Sequence, residues 1–148
     1  MNKEFVMRGS TASGLTEVLN FSGYKPGYAY RLVEFSLYPF NNIGGSESEL
    51  NATITAGKTA VAPTDPDFDN EGLIATSLYH NHQHALYPGM SYSVINDTFL
   101  ITQNLILMCQ DTSGNNNSTN WQCRFVAEKM SGAEEAAANY KQFTISDD

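Results

Sequence analysis

The chain has 148 residues, of which 41% are hydrophobic and 16% are charged, and its formal net charge is −8. This length and apolar content are typical of one domain with its own hydrophobic core. The 8 Lys and Arg residues are scattered along the chain, so the sequence lacks the basic patch with which proteins bind nucleic acid or anionic membranes.

Short alternating apolar runs, separated by loops rich in Asn, Ser, Thr and Gly, predict β-strands along most of the chain. Residues 1–28 are polar and interrupted by glycines, and they predict either an N-terminal arm or an edge strand. Residues 30–38 alternate well, with Val33, Phe35 and Leu37 on one face of the predicted strand. Pro39 ends this strand, because proline cannot donate a hydrogen bond to a neighbouring strand.

The middle of the chain predicts two further strands around a long loop. Residues 50–55 alternate again, so that the side chains of Leu50, Ala52 and Ile54 point inward. Residues 57–72 contain glycine, two prolines and several acidic residues, and they predict a loop. A strand is predicted over residues 73–80, and shorter apolar runs follow at 91–95 and 99–101.

The last predicted strands are residues 104–110 and 121–130, which we expect to run antiparallel on either side of a polar loop. Ser131 and Glu134 then match a capping box, and the alanine-rich segment 133–141 predicts a short helix. The whole pattern indicates an all-β fold. We expect an antiparallel β-sandwich or jelly roll of seven to eight strands, in a single domain over residues 1–148 with one short C-terminal helix.

Two cysteines, Cys109 and Cys123, lie symmetrically about Asn116. If their strands formed a hairpin, the two thiols could face each other and a disulfide would be geometrically possible. The chain has no apolar run of roughly 18 residues, and residues 1–5 do not begin a signal peptide. We therefore expect folding in a cytoplasm, where two buried thiols are the favoured state.

Three histidines at alternate positions form the sharpest local pattern. On a strand, His80, His82 and His84 would share one face, and such histidines can bind a metal within one chain or around a threefold axis. The alternative is that they are hydrogen-bonded or solvated at a polar strand end. We favour this alternative, because no acidic residue follows at a spacing that would complete a site.

A second candidate cation site consists of Asp65, Asp67 and Asp69, since alternating carboxylates suit calcium. The spacing departs from an EF-hand, because Asn70 stands where the loop requires glycine. We therefore favour a solvated acidic loop. The sequence also lacks a Gly-x-Ser-x-Gly elbow and a phosphate-binding loop, so we expect no enzyme activity, no cofactor, and no catalytic or metal-binding residue.

Aromatic side chains are the remaining candidates for recognition. They could stack on sugars or fill pockets on a partner, although we expect at least half to lie in the core and its margins. The set consists of Trp121 and the eight tyrosines, Tyr24, Tyr28, Tyr30, Tyr38, Tyr79, Tyr87, Tyr92 and Tyr140.

Several phrases occur in order along the chain, at residues 9–14 (GSTASG), 17–23 (EVLNFSG), 27–35 (GYAYRLVEF), 38–39 (YP), 69–75 (DNEGLIA), 124–131 (RFVAEKMS) and 134–136 (EEA). As a pattern that covers most of the chain, they resemble small minor virion or capsid decoration (cement) proteins of marine tailed bacteriophages. The resemblance implies a β-sandwich that sits on a capsid lattice, often at symmetry axes, and that has no catalytic site.

On this resemblance we expect a non-enzymatic virion structural protein, made in the host cytoplasm, that binds the outside of the phage head. Its expected partners are the major capsid protein and further copies of itself, with no nucleic acid and no membrane. The core is expected around Val33, Ile54, Leu107 and Phe125. An N-terminal arm would contact neighbouring subunits, so that a protein without residues 1–20 would fold but no longer dock.

Two other functions are compatible with the sequence. The chain could be a carbohydrate- or host-receptor-binding module of a fibre or spike, with exposed aromatic side chains as a stacking platform. It could also be a small metal-dependent enzyme of the cupin type. The enzyme is the weakest hypothesis, because the three alternate histidines have no companion glutamate and no later histidine.

Overall fold

The computed structural model describes residues 3–21, 27–41, 47–81 and 90–147. These residues form eight strands and one helix, which confirms the predicted all-β sandwich with a C-terminal helix. The elements are β1 (Lys3–Thr11), β2 (Thr16–Leu19), β3 (Tyr28–Pro39), β4 (Ser48–Ala56), β5 (Leu73–Asn81), β6 (Met90–Ile95), β7 (Leu105–Asp111), β8 (Thr119–Lys129) and α1 (Gly132–Asp147).

The strands form two antiparallel sheets, with the orders β1-β8-β3 and β2-β7-β4-β5-β6. A jelly roll is a long antiparallel ribbon rolled up so that strand one pairs with eight, two with seven, three with six, and four with five. Three of these pairs are present here. The fourth pair, β3 with β6, is not formed, because β6 pairs with β5 in the five-stranded sheet. Strand β6 still contacts β3, since the Ser93 hydroxyl donates to the carbonyl oxygen of Phe35 at 2.7 Å.

The N-terminal segment belongs to the sandwich. Strand β1 pairs with β8 along its whole length, from Lys3 opposite Ala127 to Thr11 opposite Thr119, and β2 pairs with β7 in the other sheet. The edge-strand alternative therefore describes residues 3–11 and 16–19, and the arm interpretation is wrong for them. Deletion of residues 1–20 would remove one strand from each sheet. The expectation that the shortened protein would fold but no longer dock therefore does not follow.

The two strands that flank the polar loop 111–119 do not pair with each other. Strand β7 lies between β2 and β4 in one sheet, whereas β8 lies between β1 and β3 in the other. The predicted antiparallel pairing of these two segments is therefore wrong. The loop connects the two layers of the sandwich, which alternation within each strand could not reveal.

The core lies between the two sheets and contains a cluster of aromatic rings. Phe125 is fully buried, and its ring stacks on Phe5 with centroids 5.3 Å apart and meets the edge of Phe21 at 5.2 Å. A bulge between Leu32 and Glu34 places both Leu32 and Phe35 inward. Val33 lies at the bulge and is only partly buried, so the predicted face of β3 is correct only from Phe35 onward.

The loop over residues 57–72 covers the outer side of strand β4. The Thr53 hydroxyl donates to the carbonyl oxygen of Val61 at 2.5 Å, and the Val61 N–H donates to the Thr55 hydroxyl at 3.2 Å. Both faces of β4 are therefore buried between Ala52 and Ala56. Two buried threonines thus extend the interior beyond the predicted inward set of Leu50, Ala52 and Ile54.

The C-terminal helix begins with the predicted capping box. The Glu134 N–H donates to the Ser131 hydroxyl at 3.2 Å, and the Ser131 N–H donates to the Glu134 carboxylate at 3.1 Å. The helix continues to Asp147, six residues beyond the predicted end, and packs Ala138 against Ala29 and Met130. No helix among the described residues is long and apolar enough to cross a membrane.

Candidate functional site

The first candidate metal site is only partly within the described residues. His80 lies on β5, and its Nε2 atom is 3.2 Å from the side-chain oxygen of Asn51 on β4. His82 and His84 lie outside the described residues. Among residues 3–21, 27–41, 47–81 and 90–147, no three His, Cys, Asp or Glu side chains converge on a point where a metal ion could bind.

The acidic segment that could have bound calcium is an exposed loop. The Asp67 carboxylate accepts the backbone N–H of Asp69 at 2.9 Å, and the Asp65 carboxylate accepts the Thr64 hydroxyl at 3.2 Å. Two of the three carboxylates therefore bond to donors of their own loop. This geometry favours the solvated acidic loop.

Both cysteines are buried and free. They lie on β7 and β8, in opposite sheets, so the hairpin that would have placed them face to face is absent from the described fold. Burial raises the pKa of the Cys109 thiol to about 12 and also raises the pKa of the Cys123 thiol. Both groups are therefore protonated at neutral pH, which suppresses nucleophilic and redox chemistry.

We expect the folded protein to leave both thiols unmodified by Ellman's reagent at pH 8, because the thiolate is scarce and the sulfur atoms are inaccessible. In 6 M guanidinium chloride, both Cys109 and Cys123 should react within minutes, and this serves as the control. Rapid release of two equivalents of thionitrobenzoate from the folded protein would contradict the assigned burial.

Asp111 organises the loop that joins the two sheets. Its carboxylate accepts the backbone N–H groups of Glu49 at 3.0 Å, Ser113 at 2.9 Å and Asn117 at 2.8 Å. Burial alone would raise the pKa of this carboxyl, but the bonds from Ser113, Asn117 and Glu49 outweigh it and hold the pKa below its usual range. Asp111 is the one acidic residue among the buried polar residues of the described chain, and its carboxylate is occupied by backbone N–H groups of the protein itself.

The outer face of the β1-β8-β3 sheet carries a three-residue ion-pair network and a separate ion pair. Arg124 on β8 bonds to Glu4 on β1 at 2.9 Å and to Glu34 on β3 at 2.8 Å. Arg31 bonds to Glu128 at 2.7 Å, which raises the Arg31 pKa through that hydrogen bond. These arginines have carboxylate partners and cross-link the three strands.

The same face contains a shallow groove of about 260 Å³, which we call the Arg8 groove. Its rim is formed by Arg8, Ser36, Tyr38, Asn120 and Gln122, and its floor by Leu37 and Trp121. Arg8, Gln122 and Ser36 lie side by side across the three strands. Within the described part of the chain, the side chains of these three residues make no hydrogen bond or ion pair.

Trp121 is held firmly beneath the groove. Its indole N–H donates to the Thr11 hydroxyl at 3.0 Å, and its ring lies so close to Gly9 that a Cβ atom there would come within 2.6 Å of it. Trp121 is buried. Trp121 therefore belongs to the core, as we expected for at least half of the aromatic residues.

The outer face of β6 is apolar. Tyr92 is 66% exposed and Val94 is 39% exposed, and Met90 is exposed at the start of the strand. These three side chains occupy alternate positions, so they share one face, and the exposed Phe68 lines a cavity of about 170 Å³ beside Val94. We call Met90, Tyr92, Val94 and Phe68 the β6 apolar row.

Neither surface was identified from the sequence. Tyr38 and Tyr92 were among the aromatic candidates, but Arg8, Ser36 and Gln122 are ordinary polar residues from distant parts of the chain. Only the pairing of β1 and β3 with β8 brings them together.

No family model matches the chain, and no curated protein matches it.

Proposed function

We propose that this protein is a non-enzymatic virion structural protein, a capsid decoration subunit that binds the outside of a phage head. The observation that carries the proposal is the β6 apolar row. The sequence resemblance to decoration proteins gives the class of partner, and the jelly-roll pairing is an architecture that viral capsid proteins use. The major capsid protein and further copies of this chain are the proposed partners.

The β6 apolar row has the composition of an interface centre. Large exposed apolar side chains that cluster within a polar surface mark protein–protein contacts, and aromatic and Met side chains are enriched there. Thr76 and His80 face Val94 and Met90 from β5, and they supply polar groups beside the row. A neighbouring subunit that covers the row would remove Tyr92 and Val94 from water.

A binding role also agrees with how the polar groups are used. Asp111 holds three backbone N–H groups, and Arg31 and Arg124 are bonded to carboxylates. These groups stabilise the loop and the sheet. They support a rigid scaffold that presents surfaces to a partner.

The copy number in purified particles of the virus that encodes the chain tests the proposal. Quantitative peptide mass spectrometry against the major capsid protein should give hundreds of copies, in a lattice ratio. A few to a dozen copies would instead favour the alternative, a receptor-binding module of a fibre or spike. Absence from the particles would refute a virion role.

We expect Val94→Glu to reduce docking on particles by at least tenfold, because a buried charge without a partner is costly. Val18→Glu is the matched control, since Val18 is also an exposed valine on an edge strand but lies on β2, at the opposite edge of the five-stranded sheet. Co-sedimentation of each purified variant with particles that lack the protein measures docking. Equal docking of the Val94 variant and the wild type would exclude the β6 apolar row as the contact.

A further inference from the structure

We propose that the Arg8 groove binds a carboxylated saccharide, such as a glycan that ends in a uronic acid or a sialic acid. The shared chemistry of these ligands is a pyranose ring with hydroxyl groups and one carboxylate. The proposal goes beyond head binding, because the groove lies on the three-stranded sheet and the β6 apolar row lies on the other sheet.

The first argument is the set of polar groups around the groove. Arg8, Gln122 and Ser36 lie in one row across β1, β8 and β3, a span of two strand spacings, or about 10 Å. Their side chains are without partners in the described residues. A guanidinium, an amide and a hydroxyl together offer several donors and acceptors, which complement the hydroxyl groups of a sugar.

The charge of the groove selects an acidic ligand. On this face Arg31 and Arg124 are bonded to carboxylates, whereas Arg8 has no such partner among the described residues. A guanidinium can form two parallel hydrogen bonds with a carboxylate. Arg8 is therefore positioned to receive the carboxylate of a ligand.

Tyr38 provides an aromatic surface at the edge of the groove. Its side chain is 55% exposed, and its ring contacts the ring of Tyr79 with centroids 6.0 Å apart. This contact restrains the ring before a ligand binds, which lowers the entropy cost of binding. A restrained, exposed ring can pack against the C–H face of a pyranose while its hydroxyl stays in water.

The side chain of Asn120 is also fixed in advance. Its amide N–H donates to the carbonyl oxygen of Pro39 at 3.3 Å, which holds the side chain at the rim beside Tyr38. Asn120 and Tyr38 face each other across β8 and β3. The groove therefore combines restrained side chains on one side with unpartnered donors on the other.

Other ligand classes fit the groove less well. A nucleic acid requires several cations along its backbone, and the groove has one arginine in a chain of net charge −8. Peptides commonly add a strand to a sheet edge, whereas this groove lies on a sheet face. Its volume of about 260 Å³ is below the usual range for drug-sized ligands and is suited to one or two sugar rings.

The test uses the full-length protein and four probes, namely glucuronic acid, its methyl ester, sialyllactose and lactose. Binding is followed by ligand-observed NMR. We expect binding of glucuronic acid or sialyllactose, and loss of binding for the matching uncharged probe, either the methyl ester or lactose. The two acidic probes distinguish a uronic acid from a sialic acid. Equal binding of charged and uncharged probes, or no binding of either acid, would overturn the proposal.

Two variants locate the site. Arg8→Gln should weaken binding of the acidic probe by about tenfold or more, because a charge-assisted hydrogen bond is lost, and Tyr38→Ser should also weaken it. Lys58→Gln and Tyr92→Ser remove the same charge and the same ring from other surfaces, and they should bind as the wild type does. If Arg8→Gln binds the acidic probe normally, the groove is not the site. The thermal unfolding of the variant is the control, because an unchanged value shows that weaker binding does not come from a loss of folding.

Failure of this proposal and failure of the proposed function are distinguishable. Tyr92→Ser should dock weakly on particles but bind sugar normally, and Arg8→Gln should show the reverse. A short poly-glutamate peptide that displaces the acidic sugar at equal concentration would show that the groove recognises carboxylates without the pyranose, and it would overturn the saccharide assignment.

Discussion

Replacement of Phe125 by alanine is expected to lower the free energy of unfolding by about 3–5 kcal/mol. Phe125 is fully buried, and its ring stacks on Phe5 and meets the edge of Phe21. Removing the ring would leave a cavity between strands of both sheets, which the surrounding rings fill only in part. Because domains are stable by only about 5–15 kcal/mol, this single loss would consume a large fraction of the total.

Urea denaturation followed by circular dichroism measures the effect. Phe68→Ala is the matched control, since Phe68 is 63% exposed and its truncation should change the stability by no more than about 0.5 kcal/mol. If the alanine variant does not fold, Phe125→Leu provides the second measurement. It should be less destabilised than Phe125→Ala because it leaves a smaller cavity. If the free energy of unfolding of Phe125→Ala lay within about 1 kcal/mol of the wild-type value, the result would contradict the packing of Phe125.

Replacement of Asp111 by asparagine is expected to cost about 2 kcal/mol at neutral pH. The carboxylate accepts three backbone N–H groups with its two oxygen atoms, and a side-chain amide offers one oxygen. At least one buried N–H is therefore left without an acceptor, which costs about 1–3 kcal/mol. The loop 111–119 should also become less ordered, because the Asp111 carboxylate accepts the N–H groups of Ser113 and Asn117 within it.

The Asp111 effect should depend on pH. The pKa of this carboxyl is lower in the folded protein than in the unfolded chain, where it is about 3.9. Its contribution to stability is therefore complete above about pH 5 and is lost as the pH falls below about 4 and through the folded pKa. The difference in unfolding free energy between the wild type and Asp111→Asn should shrink over this acidic range.

Urea denaturation at several pH values between 7 and 2, the range that spans the carboxyl titration, measures this difference. Asp69→Asn is the control, because Asp69 lies in an exposed loop and its substitution should leave the stability nearly unchanged at every pH. A gap between the wild type and Asp111→Asn that stays constant down to the acid limit would show that the carboxylate charge is not what stabilises the loop.

The strand content of this protein could be predicted because alternation is a local signal. The segments predicted at 30–38, 50–55 and 73–80 coincide with β3, β4 and β5 within a few residues, and Ser131 and Glu134 marked the start of the helix. The pairing could not be predicted in the same way. The polar loop after Asp111 looks like a hairpin connection, but it crosses between the two sheets.

The N-terminal segment was ambiguous for a physical reason. Residues 3–11 have polar and apolar side chains with a glycine at position 9, and this glycine is explained only by the Trp121 ring that lies over it. Thr53 and Thr55 look like solvent-facing residues, but the loop 57–72 covers them. The Arg8 groove was not predictable because its members come from three strands that are distant in sequence.

The pairing of β1 with β8 has a consequence for the order in which the chain folds during synthesis. The neighbouring strands β4, β5 and β6 pair with each other, so they can form hairpins while translation continues. Strand β1 has no sheet partner until residues 119–129 have been made, and β2 has none until β7 follows. Such long-range pairing slows folding. A ribosome that stalls before residue 119 would therefore carry a chain whose residues 3–11 remain accessible to proteases.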